Sequence, residues 1–138
     1  MAVVITTWTV VLDDGTRPYA TDVQIDQRRP LRLVVGETTE LRISLVNPVG
    51  GVVLLNSGEF LELNLRTLSP PSRPLTAKRS TPMAGNLQKI YIAAADTQAL
   101  TPQSGAFDLW AIRGADRSCI IPLSELRLAP SALGRNYL

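Results

Sequence analysis

Gly36-Glu37-Thr38-Thr39-Glu40-Leu41-Arg42-Ile43-Ser44-Leu45 decides the fold. A glycine that permits a turn leads into a run in which Leu41, Ile43 and Leu45 alternate with Glu40, Arg42 and Ser44. Side chains on a strand change face at every residue, so this run writes a strand with one buried face and one wet face. Asn47-Pro48-Val49-Gly50-Gly51 ends it, because proline lacks an N–H and the paired glycines permit a tight reversal. Leu61, Leu63 and Leu65 against Glu62, Asn64 and Arg66 repeat the grammar downstream. A third version follows Gly105, with Phe107, Leu109 and Ala111 against Asp108, Trp110 and Ile112. Between the second and third lies Ala95-Asp96-Thr97-Gln98-Ala99-Leu100, where Asp96 can cap one helical turn before Pro102 and Gly105 break it.

Working outward, Val3 to Leu12 is rich in β-branched residues, includes Trp8, and reads as a first strand or an extended arm closed by the turn Asp13-Asp14-Gly15. A weaker extended stretch from Tyr19 to Asp26 ends at Gln27-Arg28-Arg29-Pro30, after which Leu31, Leu33 and Val35 open a short strand. Ser69 to Asn86 holds Pro70, Pro71, Pro74 and Pro82 and reads as an exposed loop, since prolines this dense cannot continue a central strand. Leu87 to Ala93 resumes strand character, and Gly114-Ala115-Asp116 turns the chain into a final strand or strand pair that closes at Ala129-Pro130. No stretch sustains helical periodicity. The expected fold is all-β, an Ig-like antiparallel β-sandwich with extended N-terminal and C-terminal arms. The expected divisions are an N-terminal strand or arm over 1–30, the sandwich over 31–130 and a tail over 131–138.

Composition removes several classes of function. The 138 residues contain no histidine and one cysteine, so the commonest general base, the commonest zinc ligand and a disulfide framework are all missing. Cys119 lies in Ser118-Cys119-Ile120-Ile121 and reads as a buried, inert thiol. Asp22 with Asp26, and Glu59 with Glu62, are too widely spaced along an extended chain to make an acid–base pair, and Asp13-Asp14-Gly15 lacks the rest of a calcium loop. No catalytic, metal or cofactor site is expected. The formal charge of +2 comes from 14 basic and 12 acidic residues spread along the chain, which argues against a nucleic-acid stripe. No apolar run reaches the length of a membrane span, and no basic region precedes the apolar N-terminus as in a signal peptide.

The stretch from Leu31 to Ser131 resembles the Ig-like N-terminal domain of tailed-phage baseplate upper proteins and related small phage structural proteins. The residues that carry the resemblance are Gly36-Glu37-Thr38 before an alternating strand, then Gly50-Gly51 with Val52-Val53-Leu54-Leu55-Asn56-Ser57-Gly58. Ala95-Asp96-Thr97 and Leu100 then precede Gly105 and Phe107, and Leu126-Arg127-Leu128-Ala129-Pro130 closes the plan. The resemblance implies a structural part of a tailed bacteriophage virion, made in the host cytoplasm, in the tail, the baseplate or on the capsid surface. Its partners would be other virion proteins or further copies of itself in a homo-oligomer or symmetric assembly.

A protein of that kind works through its surfaces. Candidate interface residues are Trp8, Arg28, Arg29, Arg73, Arg79, Trp110 and Tyr137, since large aromatics and arginines dominate protein contacts. Trp8, Arg28, Arg29 and Tyr137 are expected to anchor arms on neighbours, while unpaired strand edges accept added strands. For Trp110, which falls opposite Phe107 and Leu109, core packing and an exposed patch are both open. The alternative function is a carbohydrate- or host-surface-binding module, with Trp110 and Tyr91 lining one shallow site.

Overall fold

Without long helices to cover them, alternating strands bury their apolar sets by stacking face to face, and the computed structural model, which describes residues 3–12, 30–68 and 73–130, takes that form. In chain order the elements are β1 (Val3–Val11), β2 (Leu31–Val34), β3 (Thr38–Val46), β4 (Phe60–Thr67), β5 (Arg73–Pro74), β6 (Lys78–Arg79), β7 (Thr81–Pro82), β8 (Leu87–Ile92), α1 (Ala94–Thr97), β9 (Gln103–Arg113) and β10 (Asp116–Ala129). One sheet runs β1-β3-β8-β7 and the other β2-β10-β9-β4-β5, with β6 also paired to β4. The fold is an all-β sandwich. Leu41, Ile43 and Leu45 of β3 are fully buried, as are Leu61 and Leu63 of β4 and Phe107, Leu109 and Ala111 of β9. Each alternation read from the sequence therefore faces the space between the sheets.

Most pairings are antiparallel, but the two strands at the chain's entry are not: β1 runs parallel to β3 and β2 parallel to β10. Parallel neighbours cannot be joined by a hairpin, and here a long stretch of chain separates each pair. The β1–β3 register is continuous from Val3↔Thr38 to Val11↔Val46. Of the two readings of the first segment, strand and arm, the strand holds. Trp8, Val10 and Leu12 are at most 1% exposed and join the central cluster, so residues 3–12 belong to the sandwich and the boundary expected at residue 30 does not separate them from it.

Three further expectations need correction. The proline-rich stretch is not a plain loop, because its described part contributes β5, β6 and β7, each of two residues, to sheet edges. Pro74 and Pro82 are tolerated there because an edge strand has one side without a ladder partner. Ser80 between β6 and β7 is buried, and its hydroxyl accepts from the Leu61 N–H at 2.8 Å while donating to Gln88 Oε1 at 2.8 Å, which ties the segment to both sheets. The helical turn begins earlier than Asp96: α1 opens at Ala94, and the Asp96 carboxylate reaches back to accept the Ala93 N–H at 2.8 Å. Gly36, at φ 79°, makes the β2–β3 turn and donates its N–H to Thr97 Oγ1 at 3.0 Å, fixing that turn against α1.

Cys119 is exposed rather than buried. The register of β10 against β9 shifts between Cys119 and Ile121 and again before Ser124. That bulge lets the consecutive Ile120 and Ile121 both turn inward, at 5% and 0% exposure, and leaves the thiol on the outer face.

Candidate interaction surface

Residues directly opposite each other across a ladder point to the same face, so the register assembles a surface that no single strand contains. In the larger sheet Arg79 lies opposite Glu62, Glu62 opposite Trp110, and Trp110 opposite Cys119. The adjacent row on the same outer face is Phe60, Ile112 and Arg117. On the other side of Glu62, Asn64 faces Asp108 and donates from Nδ2 to Oδ1 at 2.8 Å. Four strands, β6, β4, β9 and β10, thus present aromatic, aliphatic and charged groups side by side.

The rows interlock. The Arg79 guanidinium lies 4.6 Å from the centre of the Phe60 ring, and that of Arg117 lies 5.2 Å from the Trp110 ring. Both distances fall within the range of cation–π attraction, which is strengthened wherever the pair is shielded from water. Arg117 also donates to Glu62 Oε1 at 3.4 Å, a pair worth little by itself because the arginine side chain is half exposed. Phe60, Trp110 and Ile112 are half-buried, so part of each remains available to a partner. The Cys119 thiol is pushed above its ordinary titration range, chiefly by desolvation and secondarily by the nearby Asp108 carboxylate. The raised titration range keeps the thiol protonated at neutral pH.

The sequence candidates fall into separate groups. Arg79 and Trp110 are brought onto one face, flanking Glu62 from opposite sides. Arg73 begins β5 at the edge of the same sheet, opposite Thr67. Trp8 does not belong to any surface: it is 1% exposed and packs on Phe107 with ring centres 5.5 Å apart, so it cannot anchor a neighbour from its present position. Arg28, Arg29 and Tyr137 lie outside the described residues, as do the Asp22–Asp26 pair and the Asp13-Asp14-Gly15 turn. Tyr91 is 50% exposed, but β8 places it on the outer face of the smaller sheet, beside Glu40. The sandwich therefore separates Tyr91 from Trp110, and the two cannot line one site.

Phe60, Glu62, Ile112 and Arg117 complete this face and are not among the interface candidates read from the sequence. The outward parity of Phe60, Glu62 and Ile112 was readable from the alternations of their strands and that of Arg117 was not, while the adjacency of all four depends on the strand register. A recess of about 360 Å³ lies beside α1, lined by Leu75, Lys78 and Asp96 among others, and the Lys78 ammonium donates to the Asp96 carboxylate there at 2.9 Å. Among the described residues no group of three or more His, Cys, Asp or Glu side chains could hold a metal ion, and no helix is long and apolar enough to cross a membrane.

No family model matches the chain, and no curated protein matches it. Among solved structures it aligns with the N-terminal domain of phage TP901-1 ORF48 at a TM-score of 0.38 and 10% identity, covering 94% of this chain and 99% of that one. It also aligns with the cysteine protease inhibitor EhICP2 from Entamoeba histolytica at a TM-score of 0.42 and 9% identity, covering 94% and 97%. Scores this low do not discriminate a phage part from a protease inhibitor.

Proposed function

We propose that this chain is a structural protein of a tailed bacteriophage particle, a β-sandwich that binds neighbouring virion proteins or copies of itself and performs no chemistry of its own. The observation that carries the binding part is the outer face of β4, β9 and β10, where Trp110, Phe60 and Ile112 sit half-buried among Arg79, Arg117 and Glu62. Tryptophan and arginine dominate the energetics of protein interfaces, and a guanidinium already held over a ring loses less freedom when a partner covers it. The phage part rests on the order of turns and strands from Gly36 to Pro130 that resembles phage structural domains.

The same geometry ranks the carbohydrate-binding alternative second. A sugar stacks on an open aromatic face, whereas the Trp110 and Phe60 rings each carry an arginine, and Tyr91 is on the other side of the molecule. Two experiments test the proposal. Gold-labelled antibody against this protein should decorate purified particles in electron micrographs, on the tail, the baseplate or the capsid surface, and unlabelled particles would remove the virion reading. Trp110→Ser combined with Arg117→Ser should lower incorporation while the isolated variant keeps its fold, so normal incorporation would remove this face from the mechanism.

A further inference from the structure

The sheet edges of this molecule are not treated alike. An edge strand presents unpaired N–H and C=O groups, and soluble proteins guard such edges with proline, charge or shortness. Here β7 is a two-residue strand containing Pro82, β5 contains Pro74, and β6 consists of Lys78 and Arg79. At the other edge of that sheet, β2 follows Pro30 and carries the exposed Arg32. Only β1, at the edge of the smaller sheet, has none of these devices among the described edges. Its nine residues, Val3-Val4-Ile5-Thr6-Thr7-Trp8-Thr9-Val10-Val11, include no charge, proline or glycine, and its register with β3 runs without a bulge.

The first half of that strand is also apolar and open. Val3, Val4 and Ile5 are 43%, 38% and 53% exposed, and Thr7 is exposed, whereas Trp8 and Val10 are buried. Leu12 donates its N–H to the Val46 carbonyl at 2.8 Å, so even-numbered residues aim their backbone groups at β3. By the alternation of the ladder, Val3, Ile5 and Thr7 aim theirs at the open edge.

We infer that the Val3–Thr7 half of β1 pairs antiparallel with the same segment of a second copy of this chain, about a two-fold axis at Ile5. The register follows from the odd-numbered backbone groups. Ile5 faces Ile5 and Val3 faces Thr7 as hydrogen-bonded pairs, and Val4 faces Thr6 between them. Every pair sets a β-branched residue against a β-branched residue, which favours cross-strand packing, and the side chains that point inward in one copy continue the inner face of the other. A second copy fits the charge as well as the shape. The open half is uncharged, and its charged neighbours on β3, Glu40 and Arg42, neutralise each other in an ion pair. Ile5 lies in one row with Glu40 and the exposed Tyr91, so the pairing continues that row across the axis on the outer face of the smaller sheet.

This pairing names a partner for the assembly reading above, yet its test needs no particle. A five-residue edge buries less than the ~1,200 Å² at the low end of stable complexes, so the expected dimer is weak and concentration-dependent. Sedimentation of the full chain should show a monomer–dimer equilibrium. Ile5→Lys, which removes the apolar Ile5–Ile5 contact and places two ammonium groups face to face at the axis, should weaken it by roughly tenfold, because both the lost pair and the like charges directly opposite are destabilising. Ile5→Cys in a Cys119→Ser background should form a disulfide-linked dimer under mild oxidation, since opposed residues ~5.5 Å apart at Cα can be bridged. Val52→Cys in the same background, 65% exposed, should not. A chain that stays monomeric to its solubility limit, or a dimer that ignores Ile5→Lys and resists the Ile5→Cys bridge, would overturn the pairing. Particles that lack the protein would instead sink the virion reading and leave the dimer standing.

Discussion

Replacing Trp8 separates two pictures of the N-terminal strand. As a core residue at 1% exposure, packed on Phe107, it buries most of a large aromatic side chain. Truncation of such a residue to alanine costs about 3–5 kcal/mol, a large share of the 5–15 kcal/mol that holds an ordinary domain together. For a chain of this length each kcal/mol moves the melting temperature by roughly 3–5 °C, so Trp8→Ala should lower it by about 10–25 °C. The indole N–H adds a second, sharper test. Trp8 Nε1 is buried with no hydrogen-bond partner among the described residues, which costs about 1–3 kcal/mol for a group taken out of water. Trp8→Phe removes that orphan donor while giving up roughly 1–2 kcal/mol of ring burial, so its net effect should stay within about 1 kcal/mol. Calorimetry of both variants reads the contrast directly. In a Trp110→Phe background the remaining Trp8 should also emit at short wavelength and resist acrylamide. A Trp8→Ala protein that melts within ~2 °C of the parent would refute the core assignment. A Trp8→Phe protein as damaged as Trp8→Ala would refute the unpartnered N–H.

Further predictions bear on the core and on the outer face. Ile43→Asp should abolish folding, because a carboxylate would sit at a fully buried position among leucines and isoleucines, and a soluble protein with a normal circular dichroism spectrum would count against the β3 assignment. Ser80→Ala should cost about 1–3 kcal/mol in denaturant unfolding, since it strands the buried Leu61 N–H and Gln88 carbonyl at once. Gly105→Ala should be destabilising by about 1–3 kcal/mol, because a new Cβ would come within 2.5 Å of the Arg66 carbonyl oxygen and 3.0 Å of Leu126. Cys119 should be alkylated more slowly at pH 8 than a free thiol, because its raised titration point shrinks the thiolate fraction there. Asp108→Asn should speed the reaction in part, leaving the larger desolvation effect in place.

What could be read in advance, and what could not, divides along a physical line. The faces of β3, β4 and β9 were legible because the two-residue repeat is a local property: Ile43 points opposite to Arg42 whatever strand lies beside it. Pairing is not local. That Val3 to Val11 would lie parallel on β3 depends on contacts across a long sequence separation, and the β-branched run that makes a good arm also makes a good strand. Cys119 reads as buried from its apolar neighbours, yet the register, regular from Asp116 to Cys119, sets it opposite the outward-facing Trp110, and only the bulge beyond it turns Ile120 and Ile121 inward. The prolines of the 69–86 stretch misled for a related reason. They do forbid a central strand, but Pro74 and Pro82 lie at edges, where that restriction does not apply. The outer-face site shows both sides at once, since the outward parity of Glu62 and Trp110 was available, while their meeting with Arg79 and Cys119 in one row belongs to the register alone.

The division of labour within β1 determines how the assembly reading can be tested at all. Deleting residues 1–30 would remove an anchoring arm if the segment were one, yet it would also remove Trp8, Val10 and Leu12 from the centre of the sandwich. At about 2–5 kcal/mol for each large side chain lost, such a deletion consumes the stability of the whole domain, and a failure to assemble would then report only unfolding. The strand itself supplies the way out. Its buried half, from Trp8 onward, holds the core, and its exposed half, Val3 to Thr7, offers the edge. Ile5 is more than half exposed, so a charge placed there alters the edge without entering the core, and surface changes of this kind usually shift stability by no more than about 0.5 kcal/mol. A variant that melts like the parent but no longer self-associates therefore assigns the loss to the edge, whereas one that melts early assigns to Ile5 a share of the packing that the present geometry gives to Trp8.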